Sequence, residues 1–218
     1  MNDFTTEEKG ILFEELKKVL DDLKKKMTEC LGVHYTTVEN GASFATVLQG
    51  DTLTLYFECS NGKEDWRNNF AFPAKPYRDM ADKWKCHGGF LKVWKSVEPY
   101  VSVGINDPAV KKIEIVGYSH GAAVALLCHE YCKYNRPDVE VKGYGFGCPR
   151  VFWGQASEQV MRRFSGFLVV RNGRDIVTHL PPEIFGFRHV GGLLQVGKSE
   201  GVFKDHFPLN YLRNLELK

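Results

Sequence analysis

The chain of 218 residues is long enough to bury a continuous core, and its length predicts a single domain over residues 1–218. Hydrophobic residues make up 43% and charged residues 26%, a globular composition that argues against a disordered chain and against a membrane protein with a transmembrane segment. The formal net charge is +2 and the basic residues are spread along the chain, so we exclude nucleic acid as a partner.

The N-terminal residues and the cysteines bear on the cellular compartment in which the protein is expected. Residues 1–9 are acidic and lack the basic start and apolar core of a secretory signal. The six cysteines do not follow the spacing of a disulfide scaffold, which is typical of reduced thiols in a chain of this size. We therefore expect a cytoplasmic protein, while secretion by another route stays open.

Apolar residues at spacings of three and four predict an amphipathic helix over about residues 6–27. Short apolar runs predict strands at residues 44–48, 52–57, 112–117, 139–146 and 167–171, and helical patterns cover residues 121–134 and about 155–164. An irregular connection over about residues 61–87 contains prolines and is expected to act as a lid. Since strands and helices alternate in the second half, we predict an α/β fold with a mostly parallel sheet covered by helices on both faces.

Residues 117–121 read Gly-Tyr-Ser-His-Gly and join an apolar run to a stretch of small residues. This order of strand, tight turn and helix is the context that a nucleophile elbow requires. Ser119 is therefore the candidate nucleophile. Glycine is expected at positions 117 and 121 because side chains there would collide where the strand approaches the helix.

A serine hydroxyl is a weak nucleophile, so a base must take its proton and an acid must orient that base. Asp175 follows the predicted strand at residues 167–171, and catalytic groups collect at the carboxyl ends of such strands. His179, His189 and His206 all follow Asp175, and sequence order does not choose among them. His206 is favoured because it stands alone before a final helix, whereas His189 lies in a strand-like stretch.

An acyl-transfer site also needs donors for the oxyanion that forms on the substrate. One donor is expected to be the backbone N–H of His120, the residue after the nucleophile. The loop after the strand at residues 52–57 is the candidate for the second donor, because Ser60 offers both an N–H and a hydroxyl. An ordinary turn at that place is the alternative.

Residues 55–60, Leu-Tyr-Phe-Glu-Cys-Ser, and residues 65–70, Asp-Trp-Arg-Asn-Asn-Phe, resemble the oxyanion loop and lid of class 3 lipases, the fungal-lipase-like family. The resemblance runs from about residue 40 to the end, through blocks at residues 87–90, 117–121, 146–151, 175–182, 186–189 and 205–211. It implies the α/β-hydrolase fold and the activity of a serine ester hydrolase.

The resemblance also implies roles for individual residues. Ser119, Asp175 and His206 would form the triad, Ser60 and His120 the oxyanion pair, and His189 would be structural. The chain departs from the family pattern at two places. Glu58 and Cys59 stand where arginine and glycine are usual, and His120 replaces a leucine. These departures are expected to alter the oxyanion geometry and the substrate preference.

The stretch that resembles the lid, residues 61–70, carries four charged residues and only two large apolar ones. Such a lid is poorly suited to docking on an oil surface, so we expect short-chain or soluble acyl esters as substrates, with transient lipid-surface contact left open. The expected reaction proceeds through an acyl-enzyme and needs neither a cofactor nor a metal. Transfer of the acyl group to another alcohol would use the same residues.

Three other functions are considered. A phospholipase of the same fold is the nearest alternative, and a catalytically weak protein that binds an acyl ligand or a partner is the second. A metal site at Cys128, His129 and Cys132 is disfavoured, because His129 would point about a quarter turn away from the face that the two cysteines share on a helix. The sequence does not assign an oligomeric state.

Overall fold

The computed structural model describes residues 6–39, 42–58, 73–77, 84–155 and 157–216. The helices are α1 Thr6–Gly32, α2 Gly88–Ile105, α3 His120–Asn135, α4 Glu158–Arg163 and α5 Pro208–Asn214. The strands are β1 Thr36–Thr37, β2 Ser43–Gln49, β3 Thr52–Phe57, β4 Ala74–Pro76, β5 Lys85–His87, β6 Lys112–Tyr118, β7 Glu140–Phe146, β8 Phe152–Trp153, β9 Phe167–Asn172, β10 Phe187–Arg188 and β11 Gly192–Val196. Short 3-10 turns cover Ile176–His179, Glu183–Phe185 and Lys204–His206.

The central sheet has the strand order β1-β2-β3-β6-β7-β9-β11. Strands β1, β2 and β3 pair antiparallel, whereas β3, β6, β7, β9 and β11 run parallel. In this register Phe57 lies opposite Gly117, and Tyr118 lies opposite Phe146. The carboxyl ends of the parallel strands therefore meet at one edge of the sheet, and the predicted α/β fold with a mostly parallel sheet is confirmed.

Helices cover both faces of this sheet because its strands are apolar on both faces. Along β6, Ile113 and Ile115 join the core under α2 and α3, while Val116 and Tyr118 join the core under α1 and α5. The largest fully buried side chain of the first core is that of Trp94. Within the described residues, no helix combines the length and the apolar character needed to cross a bilayer.

A second, antiparallel sheet has the order β10-β8-β5-β4. Two of its strands, β4 and β5, come from the connection that was expected to be irregular over residues 61–87. The pairing of Cys86 with Phe152 ties that connection to the segment after β7. The rest of the predicted lid lies outside the described residues, so the lid stays a prediction. The single-domain assignment also stays a prediction.

Candidate active site

Ser119 lies between β6 and α3 with φ 56° and ψ −122°. Among the described residues it is the one non-glycine residue with a positive φ, a conformation that costs about 1–3 kcal/mol. A Cβ at Gly117 would lie 2.4 Å from the carbonyl oxygen of Gly121, and a Cβ at Gly121 would lie 2.1 Å from that of Phe57. Only glycine fits at both positions, which allows the strand and the helix to turn sharply around the serine.

The structure brings Ser119, His206 and Asp175 together. His206 Nε2 lies 2.8 Å from Ser119 Oγ, and His206 Nδ1 lies 2.8 Å from Asp175 Oδ2. Because a carboxylate only accepts, the matching tautomer carries its proton on Nδ1 and leaves Nε2 to accept from the serine hydroxyl. The three side chains thus form a hydrogen-bonded chain from a buried carboxylate to a strained serine.

The Asp175 carboxylate is held by further donors. Its Oδ1 accepts from the backbone N–H of Val177 at 2.9 Å, and its Oδ2 accepts from the hydroxyl of Tyr211 at 2.6 Å. Burial, followed by the charge of Asp175, raises the pKa of Tyr211 well above its usual value, so this phenol remains a donor. Gly147 adopts φ 61°, and a Cβ there would lie 3.0 Å from Asp175 Oδ2, so close packing also confines the carboxylate.

Tyr118 contacts His206 in two ways. Its ring stacks on the imidazole with centroids 5.2 Å apart and planes 19° apart, and its hydroxyl donates to the backbone carbonyl of His206. The residue that precedes the nucleophile therefore also positions the base. The elbow motif predicts a role for Ser119, but no sequence pattern predicts the contact between Tyr118 and His206.

Asp205 anchors the turn that carries His206. Its carboxylate accepts from the hydroxyl of Ser199 at 2.6 Å, from the N–H of Arg174 at 2.7 Å and from the N–H of Glu200 at 2.8 Å. Burial alone would raise the pKa of Asp205, but these hydrogen bonds outweigh it and hold the pKa below its usual value. Asn172, at the end of β9, donates to the Asp205 carbonyl at 2.9 Å. The sequence did not predict these roles of Asp205 and Asn172.

The two other candidate histidines bond to backbone carbonyl oxygens. His179 Nδ1 lies 2.9 Å from the carbonyl oxygen of Asp175, and His189 Nε2 lies 2.7 Å from that of Thr178. Burial lowers the pKa of His189 to about 4, so its ring is neutral at ordinary pH. Of the three histidines, His206 is the one that reaches the serine hydroxyl.

His120 is the first residue of α3, so its backbone N–H is one of the first four N–H groups of the helix, which have no intrahelical acceptor. The positive end of the helix dipole adds to the field at this point. Its imidazole is buried and meets the ring of Phe90 edge-on at 5.2 Å, and burial lowers its pKa to about 4. Ser60 and Cys59 lie outside the described residues, so the second oxyanion donor stays a prediction.

Cys128, His129 and Cys132, the disfavoured metal ligands, all lie on α3. Cys128 and Cys132 are buried, and burial raises the pKa of the Cys128 thiol, which disfavours the thiolate that a metal needs. His129 packs against the rings of Phe164 and Phe167. In the parts of the chain that the structure describes, no three His, Cys, Asp or Glu side chains are grouped so that they could hold a metal ion.

Comparison with curated proteins finds fungal relatives. The secreted mono- and diacylglycerol lipase 1 of Fusarium solani is 28% identical over 154 residues, which is 68% of this chain and 45% of that protein. A lipase of Rhizomucor miehei is 29% identical over 157 residues, which is 67% of this chain and 43% of that protein. The chain thus spans less than half the length of these relatives.

The expectation of a cytoplasmic protein is wrong, because several relatives are named secreted lipases, among them proteins of Fusarium solani and Malassezia restricta. That expectation rested on the composition of the first nine residues and on the cysteine spacing. Neither feature determines where a protein of this kind acts.

Solved structures share the fold. The native Rhizomucor miehei lipase propeptide complex has a TM-score of 0.69 and 20% identity, covering 95% of this chain and 80% of that one. Lipase II from Rhizopus niveus has a TM-score of 0.61 and 24% identity, covering 78% and 66%. The family model described as lipase (class 3) matches residues 54–185, which is more than half of the sequence. The chain therefore belongs to the class 3 lipase family.

Proposed function

We propose that the protein is a serine ester hydrolase that cleaves acyl esters of lipids through an acyl-enzyme. One observation carries this proposal: the chain of 2.8 Å hydrogen bonds that links Asp175, His206 and Ser119 at a strained elbow. A buried carboxylate, an imidazole and a serine in this order are the groups that nucleophilic acyl transfer requires.

The reaction begins when Ser119 Oγ attacks the ester carbonyl carbon and His206 Nε2 takes the hydroxyl proton. Asp175 keeps the Nδ1–H of His206 aligned and stabilises the imidazolium ion. The N–H of His120, together with Ser60, donates to the negative oxygen of the tetrahedral intermediate, and one such donor typically contributes about a hundredfold or more in rate. His206 then returns the proton to the leaving alkoxide, and the alcohol departs.

Deacylation uses the same groups. A water molecule loses a proton to His206 Nε2 and attacks the acyl carbon of the ester formed on Ser119, and the carboxylic acid leaves as the serine recovers its proton. Every proton moves between His206 and a reacting oxygen, so the cycle balances without a cofactor.

The surface beside His206 supports a lipid ester as substrate. Phe203 and Phe207 flank His206 in sequence and are 62% and 58% exposed. Three further large apolar side chains are exposed on segments that follow Asp175 and His206 in sequence: Ile184 and Phe185 on the turn Glu183–Phe185, and Leu209 in α5. Single exposed apolar residues need no explanation, but five on these segments favour contact with acyl chains. Several relatives are named mono- and diacylglycerol lipases, so we infer glycerides as the substrate class.

Hydrolysis of short-chain or soluble esters is the second candidate. It is favoured by the charged composition of residues 61–70, which lie outside the described residues. A phospholipase or a catalytically weak acyl-binding protein would give a different result in the same assays, because the first prefers phosphatidylcholine and the second turns over every ester slowly.

The test compares the wild-type chain with Ser119→Ala on p-nitrophenyl butyrate, with folding of both checked by circular dichroism. We expect the variant to lose at least about a thousandfold in kcat, since the nucleophile acts as a unit with its base. Ser102→Ala, a serine of α2 bonded to the backbone of Pro99, is the matched control and should retain wild-type turnover. Equal turnover by Ser119→Ala and wild type would overturn the proposal.

A series of substrates then separates the candidates. Preference for p-nitrophenyl decanoate and monoolein over the butyrate ester would support a lipid substrate, whereas the reverse order would support short soluble esters. Phosphatidylcholine vesicles test for phospholipase activity.

A further inference from the structure

The imidazole of His120 has no part in the proposed mechanism, which uses only its backbone N–H. Its side chain follows directly after the nucleophile and retains 9% of its surface, with the ring held edge-on against Phe90. Phe90 in turn packs against His87, with ring centroids 4.3 Å apart, so the ring of His120 rests on a buried aromatic layer. This packing fixes one edge of the imidazole.

The ring nitrogens of His120 have no hydrogen-bond partner among the described residues. The residue as a whole keeps 9% of its surface exposed. His129, nine residues along the same helix, differs because both of its ring nitrogens are completely buried without a partner. Burial keeps the pKa of His120 near 4, so above that pH its neutral ring presents one N–H donor and one acceptor.

The chemistry of an ester substrate limits what can meet this ring. An acyl chain has no hydrogen-bonding group, and the carbonyl oxygen faces the backbone donors of the oxyanion site. The polar groups that remain are hydroxyls on the alcohol part. A pocket that pairs its own polar group with a substrate hydroxyl discriminates against an analogue that lacks that hydroxyl, because the pocket group is then left unpaired.

We propose that His120 is a specificity-determining residue that hydrogen-bonds a free hydroxyl on the alcohol part of the substrate. Such a contact favours esters whose alcohol part carries a free hydroxyl over esters of simple alcohols. The inference rests on the proposed function, because it assigns a substrate class to the same site.

The test uses glycerol 1-monobutyrate and propyl butyrate, which share the acyl group and a three-carbon alcohol and differ by two hydroxyls. We expect the wild type to have a kcat/KM about tenfold higher on the monobutyrate, the effect of one net hydrogen bond between neutral groups. In His120→Leu the ratio of the two kcat/KM values should fall to about one. A change in oxyanion geometry affects both esters equally and cancels in the ratio.

Two further variants serve as controls. His120→Gln retains an amide donor and acceptor and should keep part of the preference, and His129→Leu, the same substitution on the same helix, should leave the ratio at its wild-type value. Should His120→Leu not fold, the wild-type ratio and His120→Gln decide. Inhibition of the wild type by glycerol and by 1-propanol gives an independent measure, with glycerol expected to bind more tightly.

A wild-type ratio near one, or an unchanged ratio in His120→Leu, would overturn the assignment while leaving the hydrolase proposal intact. Equal losses on both esters would also overturn it, since the ring would then act on the ester group. If neither ester is hydrolysed faster by the wild type than by Ser119→Ala, the proposed function itself fails.

Discussion

Two tyrosines position the acid and the base of the site. Tyr211 donates to the carboxylate of Asp175, and Tyr118 both stacks on His206 and donates to its backbone carbonyl. Each tyrosine is buried on the α1 and α5 side of the sheet, so the packing that closes this core also fixes the two groups. The geometry of the site therefore depends on side chains outside the triad.

Tyr211→Phe removes one hydroxyl and keeps the ring. We expect kcat to fall about tenfold or more with KM little changed, because a hydrogen bond to a charged group contributes about 1.5–3 kcal/mol and Asp175 would lose one of its donors. The measurement is steady-state kinetics on p-nitrophenyl butyrate with thermal unfolding in parallel. Tyr134→Phe, at an exposed tyrosine of α3, is the control. A variant that loses thermal stability but keeps kcat would show that Tyr211 has no positioning role.

Individual elements differ in how far the sequence predicts them. The strands at β3, β6 and β9 were predicted to within one residue at each end, since each is a short segment rich in apolar residues. Helix α1 extends to Gly32, five residues beyond its predicted end. The two- and three-residue strands of the second sheet were not predicted, because they are too short to show a period and exist only through pairing with distant segments.

The site shows the same division between local and distant information. The elbow at Ser119 was identified because strand, turn and helix are contiguous in sequence. The residues alone favoured His206 over His179 and His189 without deciding among them. The family resemblance completed the assignment, since the choice depends on distances across the fold. Tyr118 and Asn172 were missed for the same physical reason: their partners lie 88 and 33 residues away.

Arg136 joins the ends of two helices and provides a prediction for an element. From the C-terminus of α3 its guanidinium donates to the backbone carbonyls of Ile105 and Asp107, at the end of α2, and to Val110. Arg136→Leu leaves these carbonyls without their donor, so we expect the free energy of unfolding to fall by about 2–3 kcal/mol while kcat stays near wild type. Urea denaturation and kinetics on the same sample check both. Arg162→Leu, at an exposed arginine of α4, is the control; equal midpoints for the two variants would contradict the role of Arg136.

Across the whole molecule, three buried histidines link stability to pH. Burial lowers the pKa of His120 and His189 to about 4 and that of His129 to about 3. In the unfolded chain a histidine binds a proton near pH 6.5. Between that pH and about 3 to 4, the unfolded state therefore holds more protons than the folded state, so the free energy of unfolding falls as the pH is lowered through this window and is unaffected above it.

His129 is the most useful of the three for a test, because it lies away from the proposed chemistry. In His129→Leu one proton-binding difference is gone, so between pH 7.5 and 5.5 the variant should lose about 1.4 kcal/mol less stability than the wild type. At pH 7.5 the free energies of unfolding of the variant and the wild type should differ by no more than about 1 kcal/mol. The substitution removes two buried nitrogens that have no partner among the described residues, which offsets the change in packing. Urea denaturation at both pH values measures this, with His34→Leu, at an exposed histidine, expected to follow the wild type. Parallel losses in all three proteins would mean that His129 titrates alike in the folded and unfolded chains, and the acid sensitivity would then arise from other groups.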